Sequence, residues 1–228
     1  MRPYPKIETL FNRGKDFTVD VESFRRPEFK IVSPWLFTEK INGTNIRIDF
    51  RYQFDGGVEM FVGGRTDRAQ LPSELDKTLA SRSNDYLAAA SLIMNEFGLD
   101  SLTLFAEGYG PKIQKGGGNY RANQDIILFD VLINDSTWLD EDGITSTATR
   151  FGMERVPAFT VGTVEDAISL VRRTDDGYMI SIQGAVHGSS VPFEAEGIVA
   201  RPLYPLFDNR GNRVIWKLKG SDFRAGKR

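Results

Sequence analysis

Thr38-Glu39-Lys40-Ile41-Asn42-Gly43-Thr44-Asn45 is the stretch on which the reading of this 228-residue chain turns. A mostly apolar approach, Ile31 to Phe37, leads into the lysine, and beyond it Ile46-Arg47-Ile48-Asp49-Phe50 alternates. Alternation predicts a half-buried strand. Asn-Gly between two strand-like runs predicts a hairpin. Lys40 is therefore expected at the end of a strand beside a tight turn, and Gly43 leaves room for a ligand or a neighbouring backbone to come close. This arrangement suits a lysine that acts on phosphate. It equally suits an ordinary surface hairpin, so the flanking sequence has to choose.

Composition narrows the choice. The length allows one large domain or two small ones, with a sizeable core. Hydrophobic content of 40% and charged content of 26% are those of an ordinary soluble globular protein. No apolar run approaches the ~20 residues that span a bilayer. Met1-Arg2-Pro3-Tyr4-Pro5-Lys6 lacks the apolar core of a secretory signal. A cytoplasmic protein without a membrane partner is expected. The absence of cysteine excludes disulfides, thiolate nucleophiles and zinc-thiolate sites. The single histidine, His187, excludes multi-histidine metal sites, and it sits in a Gly-Ser-rich stretch without an evident orienting partner for a Ser-His-Asp triad. Chemistry must then rest on Lys, Arg, Asp, Glu and backbone amides. With a net charge of only −2, a nucleic-acid partner would need a local basic surface.

Outward from the lysine, Tyr4 to Leu10 reads as a short strand, and Arg25-Arg26-Pro27 as a connection. Asp55-Gly56-Gly57 reads as a turn into a strand, Val58 to Val62, which ends at Gly63-Gly64-Arg65-Thr66. Pro72-Ser73 opens the longest expected helix, with Ser73 and Asp76 in a capping box and Gly98 as its stop. Leu102 to Glu107 reads as a strand ending on a carboxylate. A glycine-rich basic loop, Gly108 to Arg121, and a strand, Ile126 to Ile133, follow. Thr145 to Met153 is expected to be helical and Val156 to Val161 extended. Thr163 to Asp166 is a second capping box, starting a helix that runs to Arg173. Asp175-Asp176-Gly177 reads as a turn into a strand, Tyr178 to Ile182, with Gly184 to Ser190 as loop. Glu194 to Arg201 reads as a strand. Asp208 to Asn212 reads as a hairpin turn, and Val214 to Lys219 as a strand that presents Lys217 and Lys219 on one face. Strands and helices do not alternate as βαβ, so the expected class is α+β, with mainly antiparallel sheets flanked by helices.

Lys40, Glu107, Glu196, Lys217 and Lys219 all fall at the ends of apolar strands. Each alone has a plain explanation as a solvated turn or edge charge. Together they carry a resemblance. Lys40-Ile41-Asn42-Gly43 resembles the nucleophile motif of the covalent lysyl-nucleotidyltransferases, which include ATP-dependent ligases and mRNA capping enzymes. Phe105-Ala106-Glu107-Gly108, Ile127-Leu128-Phe129-Asp130, Glu196-Gly197-Ile198-Val199 and Lys217-Leu218-Lys219 resemble the later motifs, in the family's order. The wording of Glu39 to Asn45 and of Gly110-Pro111-Lys112-Ile113-Gln114-Lys115-Gly116 is similar to the phage-type, nick-sealing branch of RNA ligases. The resemblance runs from about Lys30 to Phe223.

The resemblance implies a ligase-type, ATP-grasp-like nucleotidyltransferase domain and an ATP-dependent RNA ligase that works through lysyl-AMP, with Mg²⁺ or Mn²⁺. It implies Lys40 as nucleophile, with Lys217 and Lys219 on the α-phosphate. Glu107 would take a ribose hydroxyl, Phe129 would stack on adenine, and Glu196 would help hold the metal. Glu39, Gly43, Asn45 and Arg65 would serve the nucleotide or the nucleic-acid end. A free lysine titrates near ~10.4, so a lysine nucleophile needs cations around it. Lys112, Lys115 and Arg121 are candidates for gripping phosphates of a duplex. The implied partner is RNA with 5′-phosphate and 3′-hydroxyl ends, duplex or nicked, and a partner protein that supplies end binding is compatible with it. One nucleotidyltransferase domain is expected over residues 1–228, without a separate C-terminal domain. Within the same chemistry a DNA ligase or a GTP-using capping enzyme stays open. So does a non-catalytic nucleic-acid-binding module of the same fold.

Overall fold

The computed structural model describes residues 1–15, 18–54, 56–66, 68–172, 179–189 and 191–224. In chain order the elements are β1 (Glu8–Thr9), β2 (Phe11–Arg13), β3 (Val19–Phe24), α1 (Glu28–Ile31), β4 (Trp35–Glu39), β5 (Thr44–Tyr52), β6 (Val58–Gly63), α2 (Ser73–Ser81), α3 (Ser83–Phe97), β7 (Ser101–Tyr109), β8 (Asp125–Ile133), β9 (Thr137–Trp138), α4 (Glu141–Arg150), β10 (Ala158–Gly162), α5 (Val164–Arg172), α6 (Ile182–Val186), β11 (Gly197–Pro202) and β12 (Trp216–Lys219). Short 3₁₀ turns cover Gly117–Asn119 and Gly220–Phe223. This is the expected α+β class, with antiparallel sheets and flanking helices.

The chain forms two compact units. The first holds Met1–Tyr4 and Asn42–Arg155, the second Pro5–Ile41 and Val156–Arg228. The first unit is built on an antiparallel sheet in the order β6-β5-β7-β8-β9. One face of it is apolar: Ile46, Ile48 and Phe50 of β5 and Leu102, Leu104 and Ala106 of β7 are buried with Leu75 and Leu79 of α2, Ile93 and Met94 of α3, and Ile144 and Ala148 of α4. Burying side chains of this size stabilises by about 1.5–3 kcal/mol each. The other face is mixed. Register pairs Asn45 with Glu107, Arg47 with Phe105 and Asp49 with Thr103, so these six share it.

The second unit is built on a sheet in the order β1-β12-β11-β4-β10, in which β1 and β12 run parallel and the other pairs antiparallel. Trp35, Phe37, Ile198, Ala200, Trp216 and Leu218 pack on one face against Val164, Ala167 and Val171 of α5. Thr38, Val199 and Lys217 form a row on the other face, and Gly197 and Lys219 form the next.

Several expectations are corrected. Asn42-Gly43 is not a hairpin turn. β4 pairs with β10 and β11, whereas β5 pairs with β6 and β7, in a different sheet. Neither residue has the positive φ that a type I′ turn demands. The Asn42 N–H is instead taken by the Tyr120 hydroxyl at 3.3 Å, and the Gly43 carbonyl by Gln114 Nε2 at 3.2 Å. β5 is not half-buried: Arg47 and Asp49 are each 1% exposed. Both are satisfied internally, Arg47 Nε by the Gly64 carbonyl at 2.7 Å and Asp49 by the Thr103 hydroxyl at 2.6 Å.

The single long helix is two, α2 and α3, meeting at Arg82. Ser81 and Ser83 turn their hydroxyls onto the Thr78 and Ala80 carbonyls, which competes with the helical ladder. The expected Ser73 capping box is not formed: the N-cap position is Pro72, and among the described residues no side chain caps it. Gly98 does end α3, in the left-handed region at φ 63°. β7 runs on through Glu107 to Tyr109. Tyr4 to Leu10 contributes only Glu8–Thr9. α4 starts four residues earlier than expected, capped by Asp140 on the Gly143 N–H at 2.9 Å. Ile182 opens α6 rather than closing a strand, and α6 replaces part of the expected loop. Asp175 to Tyr178, Arg173, Ser190, Asp55 and the last four residues lie outside the described part of the chain.

Candidate active site

The second unit gathers four of the expected residues. β4 delivers Lys40, whose backbone N–H bonds the Gly197 carbonyl at 2.9 Å. Glu196 immediately precedes β11, and β12 brings Lys217 and Lys219 alongside. The Glu196 carboxylate lies between two ammonium groups: Oε2 is 2.5 Å from Lys40 Nζ, and Oε1 bonds Lys219 Nζ. All three side chains keep some solvent access, at 23% for Lys40, 19% for Glu196 and 30% for Lys219. A ligand can therefore reach them.

Gly197 makes this closeness possible. A Cβ there would sit 2.2 Å from the Leu218 carbonyl oxygen and 2.7 Å from the Lys219 Cα, so any larger residue would push β12 away. Lys217 is half-buried on the same face. Burial pushes its ammonium below the ordinary lysine range, and Lys219 and Lys40 push the same way, against Glu196 and Glu8. Cations concentrated on a shielded face are what charge development on a phosphoryl group demands.

Glu39, expected among the nucleotide-binding residues, is employed inside the unit. It is 1% exposed and points to the core face of β4. Its carboxylate accepts from the Ser181 hydroxyl at 2.6 Å and from the Ile182 and Gln183 N–H groups at 2.9 and 3.0 Å. Burial drives its pKa up, and those three bonds pull it back only in part. It therefore anchors the segment that opens α6 and fixes the end of β4, just before Lys40.

The first unit carries the other expected residues. Gly43 is tight against β7: a Cβ there would meet the Gly108 oxygen at 2.2 Å and the Glu107 Cγ at 2.8 Å. Asn45 and half-buried Glu107 are register partners on the mixed face. The Asn45 Oδ1 is buried and makes no hydrogen bond among the described residues, so this face holds an unsatisfied acceptor. Phe129 sits where the β7–β8 register slips: Phe105 pairs with Asp130 and Ala106 with Leu128, leaving Phe129 as the extra residue of a bulge. Its ring meets Tyr4 edge-on at 4.9 Å. Arg65 is exposed just past β6. In the glycine-rich loop, Lys112 and Lys115 are exposed. Arg121 is engaged, 3.0 Å from Asp125 and over the Tyr109 ring.

Among the described residues no group of three or more His, Cys, Asp or Glu is arranged to hold a metal ion. Magnesium commonly takes one or two carboxylates and completes its shell with water and substrate phosphates. A single partly exposed carboxylate, Glu196, fits that mode. Sequence reasoning missed two buried residues: Ser181, which works on a segment 142 positions away, and Asp222, whose partner Arg13 lies 209 positions away but whose bond to the Lys219 N–H is a local capping signal.

A model of the family described as RNA ligase matches residues 33–219. A point variant of Naegleria gruberi RNA ligase with ATP and Mn has a similar structure, at 17% identity and a TM-score of 0.60, over 96% of this chain and 56% of that one. Another variant of it, with AMP and Mn, matches at 18% and 0.59, over 96% and 55%. An archaeal ATP-dependent RNA ligase matches at 18% and 0.58, over 97% and 49%. At these identities the likeness is one of fold. The chain spans about half the length of the solved chains that it matches.

Proposed function

The chain belongs to the RNA ligase family, and on that premise we propose that it is an ATP-dependent RNA ligase that carries AMP on Lys40. The observation that carries the reading is the Glu196 carboxylate shared by Lys40 and Lys219 on a face that also holds Lys217.

Lys40 Nζ attacks the α-phosphorus of ATP, a nitrogen–phosphorus bond forms, and the bond to pyrophosphate breaks. The amine must first lose a proton, and Lys40, 23% exposed, can pass it to water. Lys217 and Lys219 neutralise charge gathering on the phosphate oxygens. A divalent cation held by Glu196 would add Lewis-acid charge at the same oxygens. In the second step a 5′-phosphate oxygen of RNA takes AMP from Lys40. In the third a 3′-hydroxyl attacks that phosphate and AMP leaves. Glu107 and Phe129 are assigned to the ribose and the base. The Asn45 Oδ1, an acceptor, is assigned to a hydroxyl of the nucleic-acid end, and the exposed Arg65 to a phosphate of the nucleotide or of that end. We assign the two units to one nucleotidyltransferase module, since the family match runs through both. The cytoplasm is its proposed location.

Intact mass after incubation with ATP and Mg²⁺ tests the reading. Wild type is expected to gain the mass of one AMP, and Lys40→Ala to gain none. A folded wild type that takes up no nucleotide, from ATP or GTP, overturns it. Nicked duplexes with either RNA or DNA on the 3′-hydroxyl side then identify the strand sealed. Sealing of DNA only would replace RNA ligase with DNA ligase.

A further inference from the structure

Lys219 is held by more than its ion pair. Its backbone N–H donates to Asp222 Oδ2 at 2.9 Å, and Asp222 Oδ1 is 2.5 Å from Arg13 Nη2. Asp222 is 1% exposed. A buried carboxylate is retained only when its charge is answered, and here an arginine and a peptide N–H answer it. Two further ties hold the same short turn. The Arg172 guanidinium lies over the Phe223 ring at 5.8 Å, and Glu194 and Arg224 form a doubly bonded pair beside Gly220. Arg13 ends β2, and the chain just before it runs beside β12, where the Leu10 N–H bonds the Lys217 carbonyl at 3.1 Å.

We infer that Asp222, with Arg13 as its counter-ion, is a positioning residue for Lys219: it fixes the end of β12 so that Lys219 Nζ meets Glu196 and, in turn, the α-phosphate. The inference rests on the proposed adenylation. It assigns Asp222 no contact with substrate. Displacing a charge by about 1 Å from a reacting phosphate costs rate far more than it costs ground-state binding, because the charge to be stabilised develops in the transition state.

The test is single-turnover formation of the AMP adduct across ATP concentrations, read by intact mass, with melting temperature measured alongside. Asp222→Ala is expected to lower the rate at saturating ATP by about ten- to a hundredfold, with half-saturation changed less than about threefold. Asp222→Asn keeps an acceptor for the Lys219 N–H and is expected to recover most of that rate. If Asp222→Ala does not fold, Arg13→Gln, which leaves the carboxylate in place, carries the same expectation at smaller size. A folded Asp222→Ala with wild-type rate overturns the inference. So does a change in half-saturation alone, or an Asn variant no better than Ala. Wild type without any adduct takes down the adenylation reading itself, a separate outcome.

Discussion

Burying a carboxylate next to the proposed nucleophile has a measurable consequence. Glu39 has its pKa raised, chiefly by burial. Its unfolded value lies near ~4.3, so the folded state holds the proton more tightly than the unfolded one. Its contribution to stability is therefore greatest below about 4.3 and declines as pH rises toward the higher folded value. Glu39→Gln removes this titration. The melting temperature of wild type minus that of the variant is expected to fall as pH is raised from about 4; a difference that grows with pH would refute the sign. At this scale an ordered set of motifs singled out Lys40, Glu196, Lys217 and Lys219, which lie together on one face of one sheet. The sequence was silent on why Glu39 turns inward. Its partners, Ser181, Ile182 and Gln183, lie over 140 positions away, and nothing local signals them.

Between strands, Gly197 controls how closely β11 and β12 approach. Gly197→Ala would place a methyl group 2.2 Å from the Leu218 carbonyl oxygen. Neither backbone can yield without breaking the ladder, so the expected cost is about 1–3 kcal/mol, the scale of overpacking. Chemical denaturation reads it, and an unchanged midpoint would show that the ladder has slack. Adduct formation should drop along with stability, since the same shift parts Lys219 from Glu196. Elements defined by neighbouring residues were legible in part: Gly98 ends α3 as expected, whereas the Ser73–Asp76 capping box did not form. The second capping box is present as expected, with the Thr163 N–H on Asp166 Oδ2 at 2.8 Å and the Asp166 N–H on Thr163 Oγ1 at 3.3 Å. The hairpin at Asn42-Gly43 was misread because strand pairing is a choice among distant partners. β11 and β10 won β4, and β7 and β6 won β5. The alternation in β5 likewise describes a polar row, and tertiary hydrogen bonds then bury it.

For the molecule as a whole, a net charge of −2 gives no general pull toward nucleic acid. In the proposed reading, attraction to RNA comes from local groups, such as exposed Lys112, Lys115 and Arg65. Each phosphate neutralised releases counterions, so affinity for a nicked duplex is expected to fall steeply between about 50 and 200 mM salt. A flat response in a filter-binding or anisotropy titration would show that phosphate contacts contribute little. The first unit interrupts the second: the chain leaves the second unit after Ile41 and returns at Val156. Ribosomal synthesis runs through that order in time. At about 5–20 residues per second, the first unit is complete while the sheet that carries Lys40 still lacks β10, β11 and β12. Glu196 emerges 156 residues after the lysine that it restrains. For about 8–30 seconds on each newborn chain, the proposed nucleophile waits with neither its carboxylate nor its companion lysines yet made.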